Sequence, residues 1–346
     1  MFGLFGKKAV EANLRQGVEV GEMRLTAFDA LLNLAQLDPQ FVDFVEGTEL
    51  PDLSFVFHDI PVVATFGGNV QGLSLRTTLP ECNIRRAAST AEKAQAYRCL
   101  DHVCRSRPGA RAYFDPQSGD LVVAVESAGF GEQFRADTAI DIALFMLEEA
   151  VHAARTFLGL PTTPVTPARA EQFGGGYHFG EGMRTYATAR DAFAAYLVKH
   201  LSCEEVSRDG HSVLLRSGPV DYEVMGMGWP SGFMVATTTR GFRHSVQDDG
   251  RYVRIQERLA QPVTNPERPG EWSWNFRDPG RTSIAYFQED GSFVVGQYGF
   301  GSPRTEANGP AYKLVAQAQS LNVYAMTLLV EDLPDDLYSD EANRPN

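Results

Sequence analysis

The chain has 346 residues, 43% hydrophobic and 22% charged, and its 31 basic and 44 acidic side chains leave a formal net charge of −13. That length predicts two globular domains, each able to bury its own core. The acid excess disfavours nucleic acid and anionic membrane faces as partners, and four cysteines are too few for a disulfide framework, so a cytoplasmic, reducing compartment is expected.

At the start of the chain, Phe2, Leu4 and Phe5 precede Lys7 and Lys8, the reverse of a secretory signal, and residues 1–22 read as a loosely ordered arm. No apolar run approaches the roughly 18 residues of a membrane helix. A helix is predicted over 26–37, with Thr26 as N-cap and Asp29 three positions on. Strands are expected over 53–58, 62–66 and 73–78. Ser89 and Glu92 have the spacing of a capping box, which opens a helix over 90–106. Strands over 111–115 and 121–126 then lead to a long helix over 138–158.

Pro161, Pro164 and Pro167, followed by Gly174, Gly175, Gly176, Gly180 and Gly182, mark a linker over 161–182. Beyond it the pattern resumes. A helix is predicted over 188–201, strands over 211–216, 220–226 and 233–239, and a helix over 251–260. Strands over 272–276, 282–287 and 292–298 and a helix over 310–332 follow, then a flexible tail over 334–346.

The same signals recur in the same order on both sides of the linker. Thr26-Ala27-Phe28-Asp29-Ala30 matches Thr188-Ala189-Arg190-Asp191-Ala192, and Arg107-Pro108-Gly109 matches Arg268-Pro269-Gly270. Ala112-Tyr113-Phe114, Gly119 and Val122-Val123 match Ala285-Tyr286-Phe287, Gly291 and Val294-Val295, each a hairpin with a glycine in its turn. Gly129-Phe130-Gly131 matches Gly299-Phe300-Gly301. Their shared order predicts an internal duplication, over 23–160 and 183–333. The second copy is longer by a segment holding Trp272, Trp274 and Phe276, which reads as one extra strand.

This hairpin and its long closing helix resemble YbjN-type domains, which are similar in fold to type III secretion chaperones; the resemblance covers roughly 24–160 and, more loosely, 183–333. It implies an α+β chain of two tandem chaperone-like domains, each α-β-β-β-α-β-β-α, with a mainly antiparallel sheet packed against helices. It also implies a protein-binding, chaperone- or adaptor-like role, a homodimer, and no catalytic residue, cofactor or metal. The client's identity is not written in the sequence.

The closing helices carry apolar stripes at Ile140, Leu144, Leu147, Val151, Ala154 and Leu158, and at Leu314, Ala318, Leu321, Ala325 and Leu328. Ile142, Phe145 and Met146, and Val315, Val323, Met326, Leu329 and Val330, lie off those stripes and call for a second covering surface. The candidate partner or dimer contacts are therefore Phe145, Met146, Val323, Met326 and Leu329, with Trp229, Trp272 and Trp274 as aromatic anchors. Cys99, His102 and Cys104 lack a fourth ligand and read as ordinary helix residues, and Glu148 with His152 as a solvated pair. Phe55, Phe57, Tyr113 and Phe114 alternate like a single-strand nucleic-acid platform, but no basic belt accompanies them. A nucleic-acid-associated regulatory module and an enzyme with an unrecognised site are the rival readings.

Overall fold

The computed structural model describes residues 42–44, 52–66, 72–106, 109–128, 136–162, 190–191, 193–195, 197–199, 201–210, 212–226, 232–240, 242–261, 263–264, 273–274, 283–300 and 337–339. The helices expected over 26–37 and 310–332, the arm and most of the linker lie outside these residues.

The first half runs β1 (Val42–Phe44), β2 (Asp52–Phe57), β3 (Ile60–Phe66), β4 (Gly72–Asn83), α1 (Thr90–Ser106), β5 (Ala110–Phe114), β6 (Asp120–Ala128) and α2 (Ala136–Phe157). The second runs β7 (Glu204–Arg208), β8 (Ser212–Ser217), β9 (Val220–Gly226), β10 (Gly232–Thr239), β11 (Phe242–His244), α3 (Asp249–Leu259), β12 (Val263–Thr264), β13 (Ser273–Trp274), β14 (Ser283–Phe287), β15 (Phe293–Phe300) and β16 (Leu337–Ser339). The fold is α+β, with two six-stranded antiparallel sheets.

The two sheets repeat one topology. The first has the order β1-β2-β3-β4-β6-β5, and the second the order β7-β8-β9-β10-β15-β14. Register repeats too. Tyr113 pairs with Val122 and Ala112 with Val123, and in the second sheet Tyr286 pairs with Val294 and Ala285 with Val295. Gly119 and Gly291 both adopt positive φ, at 79° and 83°. Their carbonyls accept from the Ile84 and His244 amides at 2.9 and 3.0 Å, so each hairpin turn is tied to the chain that precedes a helix.

Three features differ from the sequence expectation. Each sheet begins with an edge strand, β1 or β7, that alternation did not reveal; β7 is exposed at all five positions and so carries no apolar period. The extra strand expected over 272–276 is present at Ser273–Trp274, and its partner is Val263–Thr264 in a separate two-stranded ribbon rather than the large sheet. Within the tail, Leu337–Ser339 forms a strand paired with Phe242–His244.

One face of each sheet is the core face. In the first sheet Phe55, Val62, Thr77, Val123 and Ala112 form one buried row across five strands. In the second, Val213, Val224 and Val235 and, one row on, Leu215, Tyr222, Thr237 and Val295 do the same, with Phe193, Ala194 and Leu197 packed over part of them. The α2 helix covers the first sheet and also packs on α1. Its buried arc is therefore wider than a single stripe, taking in Ala143, Met146 and Ala150 beside Leu144, Leu147, Val151 and Ala154.

The α1 helix is central. Its start is the capping box that the sequence predicts: the Glu92 amide donates to Ser89 Oγ at 3.2 Å, and Glu92 Oε2 accepts from the Ala88 amide at 2.6 Å. It packs against α2 and β5 on its own side and against α3 and β14 of the second half. One core cluster consequently runs through both halves, from Phe55 and Leu100 to Ile255 and Phe287. The α1–α3 seam is polar at its centre. Asp101 Oδ2 accepts hydrogen bonds from the Tyr252 hydroxyl and from Gln256 Nε2, the latter at 2.8 Å, with all three residues at most 3% exposed. Around it Arg98 lies over the Tyr252 ring at 5.3 Å and pairs with Asp249 at 2.6 Å, while Lys93 pairs with Glu257 at 3.1 Å.

Removing the carboxylate by Asp101→Ala takes an acceptor from two buried donors and lowers the unfolding free energy by about 2–4 kcal/mol. Tyr252→Phe lowers it by about 1–2 kcal/mol, and the double variant departs from additivity by about 1 kcal/mol or more, as read by urea denaturation of the full chain.

Candidate functional site

A cleft of about 500 Å³ opens where the two halves meet. Its floor is the face of the second sheet opposite the core. Leu214, Glu223 and Ala236 form one cross-strand row, and Asp221, Thr238 and Val294 the next. The turn between β14 and β15 supplies a wall of Gln288, Glu289, Asp290 and Ser292, and Arg105 of α1 closes the cleft from the first half.

Local sequence explains the lining. In β9 the segment Val220-Asp221-Tyr222-Glu223-Val224 alternates, so Tyr222 and Val224 enter the core and Asp221 and Glu223 face the cleft. Most of the carboxylates are matched. Asp221 receives Arg216 at 2.8 and 3.2 Å, and Arg240 lies 3.5 Å away. Asp290 accepts from the Ser292 hydroxyl at 2.6 Å and its amide at 2.9 Å, with Arg243 at 3.2 Å. Burial opposes the Asp290 charge, but these bonds and the guanidinium prevail and hold its carboxyl below the ordinary range. Glu289 pairs with Arg105 at 3.4 Å, an exposed contact of little energetic weight.

Glu223 differs: no hydrogen bond or ion pair engages its carboxylate among the described residues. Tyr286 continues the Asp221–Thr238–Val294 row on the same face and is 7% exposed. Its hydroxyl likewise makes no hydrogen bond among the described residues. Burial first, then the Glu223 charge, push this phenol well above its ordinary pKa, which keeps it a neutral donor. Glu223 thus lines the cleft without a partner among the described residues, while Tyr286 belongs to the core cluster that runs through both halves.

Of the residues singled out from the sequence, Met146 is buried in the core between α2 and its neighbours and is not a surface contact, and Phe145 is half-buried. Trp274 lies in β13, and Trp229, Trp272, Val323, Met326 and Leu329 lie outside the described residues. Cys99 donates to the Ala154 carbonyl at 3.9 Å, Cys104 Sγ accepts from the Ala112 amide at 3.2 Å, and His102 rests on Phe157. Glu148 is not solvated; it is 3% exposed and bonds His58 Nδ1 at 2.9 Å. His58 and Asp59 form the β2–β3 turn with φ of 46° and 65°, the backbone of a type I′ turn built without glycine. Sequence reading missed Glu223 as a cleft residue and Asp101 as a seam residue, although the alternation in β9 and the acid inside the apolar stretch of α1 were visible.

Comparison with models of known protein families, with curated proteins and with solved structures finds no match to this chain.

Two consequences follow for the turns. A Cβ on Gly291 would lie 2.3 Å from the His244 carbonyl oxygen, whereas on Gly119 it meets only the Arg85 side chain, at 2.6 Å. Gly291→Ala therefore destabilises by about 3 kcal/mol or more and Gly119→Ala by about 1–2 kcal/mol, as measured by thermal or urea unfolding. Asp59→Gly relieves a left-handed side-chain residue and raises stability by about 0.5–1 kcal/mol in the same assay.

Proposed function

We propose that the chain is a non-catalytic binding protein, adaptor- or chaperone-like, that holds an extended segment of a partner protein in the cleft between its halves. The supporting observation is the open sheet face. Leu214, Ala236 and Val294 give it apolar ground, Thr238 and Ser292 offer hydroxyls, and Asp221 and Glu223 stand in the same cross-strand rows. A concave patch that mixes apolar and polar groups suits a protein segment. In this reading each sheet with its helices is one unit similar to YbjN-type and type III secretion chaperone domains, over 23–160 and 183–333. The repeated strand order and hairpin register support that reading. The net charge of −13 favours encounter with basic partners.

The test is binding of the full-length chain to a panel of immobilised extended peptides of about ten residues. Thr238→Trp fills the cleft from a half-buried strand position, leaves the unfolding free energy within about 1 kcal/mol of the parent, and lowers peptide affinity by about tenfold or more. Unchanged affinity in that variant places the binding surface elsewhere.

A further inference from the structure

We infer that the chain docks a second copy of itself through the open edge of its second sheet, β7 against β7, antiparallel and centred on Val206. Three observations meet at that edge. The β7 strand ends its sheet: among the described residues it pairs only with β8, and all five of its residues are exposed. An edge strand of this kind is a template for another strand. Val198 and Val206 are the large hydrophobic side chains left exposed among the described residues, at 40% and 43%, and both belong to this edge. Val206 lies in β7, and Val198 in the helical segment that leads into it. That segment is held beside β7, where Arg190 donates to the Asp209 carbonyl at 3.0 Å and Arg208 bonds Asp191. Its Phe193, Ala194 and Leu197 are buried on the sheet, whereas Val198 is left to solvent.

The third observation is that the charge pattern of β7 complements itself. Edge strands are commonly guarded by charges of one sign, which meet their like when two copies approach. This strand reads Glu204-Glu205-Val206-Ser207-Arg208, with acid before its centre and base after it. Antiparallel pairing about Val206 sets Glu204 opposite Arg208 of the second copy, and Arg208 opposite its Glu204, so the match is made twice, as a two-fold contact requires. In a parallel arrangement each acid would face the same acid. Arg208 uses three N–H groups on Glu205 and Asp191, and a guanidinium has five, so it can take a further carboxylate. The register of β7 on β8 shifts between Glu205 and Ser207, which leaves Val206 outside the ladder to β8. The bulged valine is thus the residue that meets its own copy at the axis.

The test is the mass of the full-length chain by light scattering and sedimentation, over concentrations on the order of 1 to 100 μM. The parent is expected to pass from one copy to two within that range. Val206→Lys puts like charges at the axis and is expected to weaken dimerisation by about tenfold or more, and Val206→Glu to do the same. An equimolar mixture of the two variants is expected to recover a dimer holding one of each, because a lysine then faces a glutamate. A change that merely damaged the fold would not be rescued by mixing, and thermal unfolding of both variants is expected to match the parent, since Val206 is exposed. A parent that stays a single copy throughout, a dimer that persists in Val206→Lys, or a mixture that stays as single copies overturns the inference. None of these results bears on the cleft, which Val206 does not line.

Discussion

The structure depends on one buried carboxylate. Asp101 lies inside α1, where a charge removed from water is costly unless donors surround it. Tyr252 and Gln256 of α3 provide two such donors, and because a hydrogen bond tolerates little displacement, they fix how the second half sits on the first. An apolar seam alone would have allowed the helices to slide. Four residues further along α1, about one turn, the same helix carries Arg105 to the cleft. The bond that sets the seam therefore also places one wall of the cleft, Arg105.

The two sheets share a strand order but differ in the side chains around their matching hairpin tyrosines. Tyr113 and Tyr286 occupy the same place in the two hairpins. Beside Tyr113, Arg111 lays its guanidinium over the ring at 5.0 Å, and Val122 and Ala124 complete a small closed cluster on that face. At the matching positions of the second sheet stand Ile284 and Gly296. Isoleucine offers the ring no cation and glycine no bulk, so Tyr286 lacks the cation–π contact that Tyr113 has and packs instead in the core cluster that runs through both halves. The two sheets share a strand order, and two side-chain differences change what packs beside the matching tyrosines.

Much of the architecture was legible in the sequence because it is written in local signals. Ser89 and Glu92 announce α1, the matched glycines at 119 and 291 announce two equivalent turns, and alternation locates most of the strands. Edge strands escaped, because Glu204–Arg208 has no buried face and hence no period to read. Glu148 was misjudged for a different reason. Its spacing from His152 describes only its own helix, while its bond to His58 joins residues 90 apart, a contact no window along the chain can reveal. Asp101 and Tyr286 share that limit: each is ordinary in its own element and acquires meaning only from the other half.

The turns show how such long-range bonds compensate for local strain. The second sheet closes its matching hairpin with Gly218 at φ 56°, followed by Pro219, a low-cost solution. The first sheet instead places His58 and Asp59 in left-handed backbone, which costs on the order of 1 kcal/mol per residue. The return is the His58 side chain, which stacks on Phe57 at 4.1 Å and satisfies Glu148 on α2. A glycine there would ease the turn and lose that tie. The helix α2 is thus tethered to the far end of the sheet as well as packed on it. That firm first half is what α1 stands on when it presents Asp101 and Arg105 to the second.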